Sequence, residues 1–117
     1  MGLSASPAEL VEYNSKVFFI ADESDTGKEL WSCDDKDTCD IVSDINTGRF
    51  NSLPNQLTRF NGKLYFKAFT SNSYNELWSV DSAGSVSQVK DINPSGSGNP
   101  QMITVALNRL YFQANDG

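Results

Sequence analysis

Apolar and polar residues alternate with a period of two along much of this chain. In Lys63-Leu64-Tyr65-Phe66-Lys67-Ala68, the side chains of Leu64, Phe66 and Ala68 fall on one face of an extended strand. The same face returns at Val17, Phe19 and Ala21 and again at Leu110, Phe112 and Ala114, while the opposite face carries Phe18, Tyr65 and Tyr111. Strands are predicted at 57–60 and 63–69 around Asn61-Gly62, a dipeptide suited to a two-residue type I′ turn. A second hairpin is predicted from strands at 75–81 and 86–92 around Ser82-Ala83-Gly84-Ser85, followed by a proline-interrupted loop at 93–100. No window has a convincing 3.6-residue period, so the expected fold class is all-β.

The chain also resembles itself. Residues 10–46 set against residues 57–93 give 15 identities in 37 pairs, the clearest being Glu29-Leu30-Trp31-Ser32 against Glu76-Leu77-Trp78-Ser79 and Asp44-Ile45-Asn46 against Asp91-Ile92-Asn93. The expected organisation is an N-terminal extension at 1–9, four-stranded antiparallel repeats of about 47 residues at 10–56 and 57–102, and the first hairpin of a third at 103–117. A sheet apolar on both faces needs a neighbour on both sides. Small four-stranded sheets stacked in this way are β-propeller blades, and about two and a half of them cannot close a ring that takes about 4–8. The reading is therefore a module completed by oligomerisation or excised from a longer array, with exposed end hairpins that favour self-association.

The segments Glu29-Leu30-Trp31-Ser32-Cys33-Asp34 and Glu76-Leu77-Trp78-Ser79-Val80-Asp81 resemble the ELWxxDGT repeat. The resemblance continues through Asn61-Gly62-Lys63-Leu64-Tyr65-Phe66 and Val89-Lys90-Asp91-Ile92-Asn93-Pro94. It departs at the Gly-Thr pair, which is Asp35-Lys36 in one unit and Ser82-Ala83 in the other, and in the inserted cysteines. The resemblance implies a propeller-like fold and a secreted or cell-surface setting, and it carries no settled catalytic residues.

Charge and composition act mainly by exclusion. With 15 acidic and 9 basic residues the 117-residue chain carries a formal charge of −6, which argues against a nucleic-acid partner. No apolar run approaches the roughly 20 residues of a membrane helix, and no signal peptide is legible at the start. The absence of histidine removes the commonest general base and metal ligand. Cys33 and Cys39 would oppose each other if 34–38 forms a hairpin turn, within disulfide range. Two inert thiols are the alternative. A disulfide would imply an oxidising, extracellular-type compartment.

Candidate sites are few. Trp31 and Trp78 read as packing residues beside Leu30 and Leu77, together with Phe19, Phe66 and Phe112, each indole N–H bonded to a neighbouring carbonyl; a sugar-stacking role is the alternative. Asp44 and Asn46, with Asp91 and Asn93, read as turn-shaping side chains, calcium being the alternative occupant and no cofactor the expectation. Asp22, Glu23 and Asp25 read as a solvated loop. No serine or cysteine has a histidine partner and no carboxylate pair is placed across a cleft, so the chain reads as a non-enzyme. The expected function is a non-catalytic extracellular module for binding or self-assembly. Its partners would be further copies, neighbouring repeats, or a glycan or protein ligand. A lectin-like carbohydrate-binding repeat and a calcium-stabilised surface repeat are the alternatives.

Overall fold

A computed structural model describes residues 8–48 and 50–117. Ten strands follow one another: β1 (Ala8–Tyr13), β2 (Lys16–Glu23), β3 (Gly27–Cys33), β4 (Cys39–Ser43), β5 (Asn55–Phe60), β6 (Lys63–Thr70), β7 (Tyr74–Val80), β8 (Val86–Lys90), β9 (Gln101–Ala106) and β10 (Arg109–Gln113). They form antiparallel sheets of four, four and two strands in simple sequence order, with no helix among the described residues. β1, β5 and β9 each begin slightly ahead of the sequence-derived boundaries. Residues 1–7 of the expected N-terminal extension lie outside the described residues.

Turn chemistry explains the hairpins. Asn61 and Gly62 adopt φ of 49° and 77°, the double positive φ of a type I′ turn, and Asn14-Ser15 does the same at 52° and 60°. Leu107-Asn108 takes this shape at 49° and 58°, although a leucine bears a steric cost there that asparagine largely escapes. The tips of the second hairpins are closed by aspartate. Asp34 Oδ1 accepts the N–H groups of Lys36 and Thr38, and Asp81 Oδ1 those of Ala83 and Ser85, at 2.9–3.0 Å. These bonds to the ionised form hold the Asp34 carboxyl below its ordinary pKa, Thr38 contributing most.

The first two sheets share one register. Val17 pairs with Cys33 and Phe19 with Trp31, and 47 positions later Leu64 pairs with Val80 and Phe66 with Trp78. The first strands of the two sheets share a distortion as well. A bulge interrupts both β1–β2 and β5–β6, with Glu9 and Gln56 at positive φ.

Packing follows from the two-sided apolar pattern. Tyr13, Phe18, Ile20 and Leu30 of the first sheet and Leu64, Phe66, Ala68 and Val80 of the second form a single buried cluster. One face of sheet two is thus sealed by the opposing face of sheet one. Side chains pin the contact at its margins. The Tyr13 hydroxyl donates to the Gly62 carbonyl at 2.6 Å, Asn14 donates to the Ser82 carbonyl, and Glu9 accepts the Gln56 N–H at 2.7 Å. The β9–β10 hairpin attaches next to β5, where Gln56 donates to the Pro100 carbonyl and accepts from the Ile103 N–H.

Candidate functional site

The loops that join successive sheets are built around two buried carboxylates. Glu29 and Glu76 are fully buried in β3 and β7. Glu29 accepts the backbone N–H groups of Ile45 and Asn46 at 3.3 and 3.2 Å and the hydroxyl of Ser52. Glu76 accepts the N–H groups of Ile92 at 2.9 Å and Gly98 at 2.6 Å. Each therefore clasps both limbs of a loop that leaves one sheet and enters the next, supplying acceptors to backbone groups that burial would otherwise leave unpaired. Desolvation lifts the Glu29 pKa to about 7, outweighing the downward pull of its three hydrogen bonds. The position of Glu29 and Glu76 in the matched Glu-Leu-Trp-Ser segments was visible in the sequence. Their role as clasps was not, because the donors lie 16 to 23 residues further along the chain.

Asn46 carries the first loop onto the second sheet. Its amide nitrogen donates to the Asn51 carbonyl at 3.0 Å, and its oxygen accepts the N–H and hydroxyl of Ser71 at 3.1 and 3.2 Å. Beside this link lies a groove of about 480 Å³ lined by Ile45, Asn46, Thr47 and Phe50 on one side and the 70–73 turn on the other, with Trp78 and Gln88 of β7 and β8. The turn is internally bonded. The Ser73 N–H donates to the Thr70 hydroxyl oxygen, the two hydroxyls lie 2.8 Å apart, and Ser73 Oγ donates to Gln88 Oε1 at 3.1 Å. Phe50, 65% exposed, stands at the rim. Sequence reasoning missed this site; the one local signal was the replacement of the acidic 22–25 stretch by Phe69, Thr70, Ser71 and Asn72.

The third sheet presents a different surface. Phe66 has strands on both sides and is fully buried, whereas Phe112, one strand-pattern further on, is 38% exposed. Among the described residues β10 pairs only with β9, so its outer edge is open. Met102, Val105 and Tyr111 add to the exposed apolar area of the hairpin.

The sequence-derived candidates take the following places. Cys33 and Cys39 are directly paired in the β3–β4 ladder and form a disulfide across a Cα–Cα distance of 4.0 Å. A disulfide suits an oxidising environment. Phe19, Phe66, Leu30 and Leu77 are buried, whereas Phe112 is left partly in solvent because its sheet has two strands and not four. Trp31 and Trp78 are half-buried and lie opposite Phe19 and Phe66. The expected indole-to-carbonyl bonds are not made. Both Nε1 atoms are buried without a hydrogen-bond partner among the described residues, since the carbonyls of adjacent strands are spent in the ladders. Asp44 accepts the Gly48 N–H at 2.8 Å through one oxygen, while its other oxygen is buried without such a partner. Asn93 mirrors Asn46 by donating to the Ser97 carbonyl and accepting the Ser95 N–H, and Asp91 is exposed. Asn46, Asn93 and one oxygen of Asp44 are therefore engaged in shaping turns. The acidic 22–25 stretch also bonds locally, the Glu23 carboxylate accepting from the Asp25 N–H and the Thr26 hydroxyl.

With this geometry in place, the chain was compared with protein-family models, curated proteins and solved structures, and none of the three comparisons found a match.

Proposed function

We propose that this chain is a non-catalytic, extracellular β-repeat module of propeller-blade type that assembles with further copies through its third sheet. The contrast between fully buried Phe66 and half-exposed Phe112 carries the reading. The two phenylalanines occupy matching places in the alternating pattern, and only the one with strands on both sides is sealed. An open strand edge beside an apolar face is the arrangement that natural sheets cover or pair. A second copy supplies strands of the same pattern and hence a complementary surface. The matched registers of the first two sheets and the bulges in the first strand pair of each support the blade interpretation. The ELWxxDGT resemblance and the disulfide support the extracellular setting.

Multi-angle light scattering over a dilution series of the 117-residue chain tests the proposal. The expected result is a discrete oligomer that Phe112→Ser converts to monomer while the far-ultraviolet circular dichroism stays unchanged. A monomer at every concentration, or an oligomer indifferent to Phe112→Ser, refutes assembly through this sheet.

A further inference from the structure

We infer that Asn61-Gly62 is a site of spontaneous backbone modification, and that the Tyr13 hydroxyl, reaching across from the first sheet, is the latch that guards it. The Gly62 peptide nitrogen, after losing its proton to hydroxide, attacks the side-chain carbonyl carbon of Asn61. The new C–N bond closes a five-membered succinimide, and the carboxamide nitrogen takes a proton from water and leaves as ammonia. A water molecule then opens the ring at one of its two carbonyls, giving aspartate or isoaspartate at position 61. The net reaction consumes one water and releases one ammonia. Of the 11 asparagines only Asn61 precedes glycine, where no side chain hinders the attack. Asn61 and Gly62 are exposed and line an open cleft of about 390 Å³ with Arg59 and Lys63. Water reaches the turn through this cleft, and its two cations outnumber the single carboxylate of Glu12, which favours an anionic nitrogen.

The closed turn blocks this reaction. With φ of 49° and 77° it is of type I′, in which ψ of the first central residue is about +30°. That rotation points the Gly62 nitrogen away from the Asn61 side chain, out of reach of its carbonyl carbon. Modification therefore proceeds through molecules whose hairpin tip has opened. Tyr13 opposes the opening by donating to the Gly62 carbonyl at 2.6 Å. Its ring is buried and lies 5.5 Å from that of Phe18, so the hydroxyl is held in place. Burial, and secondarily Asp81, keep its pKa above the ordinary value, so it remains a donor in mildly alkaline solution. Isoaspartate adds a methylene to the backbone of a two-residue turn whose length fixes the hairpin. The reaction thus displaces the Gly62 carbonyl from Tyr13 and loosens the joint between the first two sheets. The corresponding turns are Asn14-Ser15 in the first sheet and Leu107-Asn108 in the third, with no glycine to attack. The site is specific to the second sheet and does not depend on the assembly proposed above.

The test incubates the parent chain and Tyr13→Phe at pH 8 and 37 °C in H₂¹⁸O, each both folded and in concentrated urea. Peptide mass mapping over time reads the replacement of –NH₂ by –¹⁸OH at every asparagine. Tyr13→Phe keeps the buried ring and removes only the hydroxyl. The expected result is conversion at Asn61 ahead of all other asparagines, and more slowly in the folded parent than in urea. Folded Tyr13→Phe should convert about two- to tenfold faster than the folded parent, the worth of one hydrogen bond, while the two agree in urea. The double variant Cys33→Ser with Cys39→Ser controls for a general loss of stability. It leaves the Tyr13 bond intact and should convert Asn61 at the parental rate, because the opening is local. Four outcomes overturn the assignment: a folded parent that converts as fast as in urea, folded Tyr13→Phe at the parental rate, another asparagine converting first, or equal acceleration in the double variant.

Discussion

The clasp at Glu29 makes a pH-dependent contribution to stability whose sign runs against common experience. A carboxylate paired with a cation usually has its pKa lowered by folding and destabilises the protein when protonated. Glu29 has no cationic partner among its hydrogen-bonding groups and sits fully buried, with its pKa raised from 4.5 to about 7. Between those two values the folded state holds a proton that the unfolded state has released, so stability falls as pH rises. The contribution is fully present below about pH 4.5 and is lost as pH passes through 7. At about 1.4 kcal/mol for each pH unit of separation, the full effect is about 3 kcal/mol. Glu29→Gln removes the titration: its carbonyl oxygen can take the place that accepts the Asn46 N–H and its amide can donate to Ser52, at the loss of the acceptor for the Ile45 N–H. Urea unfolding followed by tryptophan fluorescence at pH 5, 6, 7 and 8 measures the difference between this variant and the parent chain. Subtracting the two cancels the general repulsion of a chain with net charge −6, provided the other titrating groups are unaffected. Whatever the offset at pH 5, the stability of the variant relative to the parent should rise by about 2–3 kcal/mol between pH 5 and pH 8. Glu29→Ala provides the opposite control. It strands two backbone donors and a hydroxyl in a buried place and should cost about 3 kcal/mol or more at every pH. A parent-minus-variant difference that is flat between pH 5 and 8, or that favours the parent increasingly as pH rises, would refute the buried-clasp reasoning.

Three further outcomes follow from single positions. Gly98→Ala should cost about 2–3 kcal/mol in urea unfolding, because a Cβ there would stand 2.5 and 2.7 Å from the buried Glu76 oxygens and break the Gly98 N–H bond to them. Leu107→Asn should raise the thermal midpoint, gaining about 1 kcal/mol, since Leu107 is 87% exposed and held at positive φ in the β9–β10 turn; a lower midpoint would count against the turn assignment. The double variant Cys33→Ser with Cys39→Ser should lose about 2 kcal/mol, the loop-closure term for so short a ring, while leaving the Asp34 turn in place. Chemical denaturation gives the cost, and retention of the Lys36 and Thr38 amide shifts reports the turn.

Much of the secondary structure was legible because it is decided within a few residues. The period-two alternation at Lys63–Thr70 specifies a strand, Asn61-Gly62 specifies a tight hairpin, and a strand-to-strand turn of fixed length brings Cys33 opposite Cys39. The pattern of Phe18 and Phe19 pointed to apolar residues on both faces of a sheet; both are buried, and the Phe18 face packs with Ile20 against Leu64 and Phe66 of the second sheet. The fates of Phe66 and Phe112, by contrast, cannot be told from their near-identical local sequences, because burial depends on how many strands flank each one. The unbonded indoles of Trp31 and Trp78 have the same origin, since the availability of a carbonyl is a property of the assembled ladder.

By itself, the sequence determined the all-β class and the hairpin turns, and it pointed to Cys33 and Cys39 facing each other, because each rests on interactions between residues near one another along the chain. Only the tertiary structure decided that Glu29 and Glu76 clasp the connecting loops, that Asn46 joins one sheet to the next through Ser71, and that Thr47, Asn72 and Gln88 line one groove. Those partners are separated by a long stretch of chain or lie on different sheets. Alternation assigns a residue to a face, but the identity of what meets that face emerges when the sheets pack and each buried donor must find its acceptor.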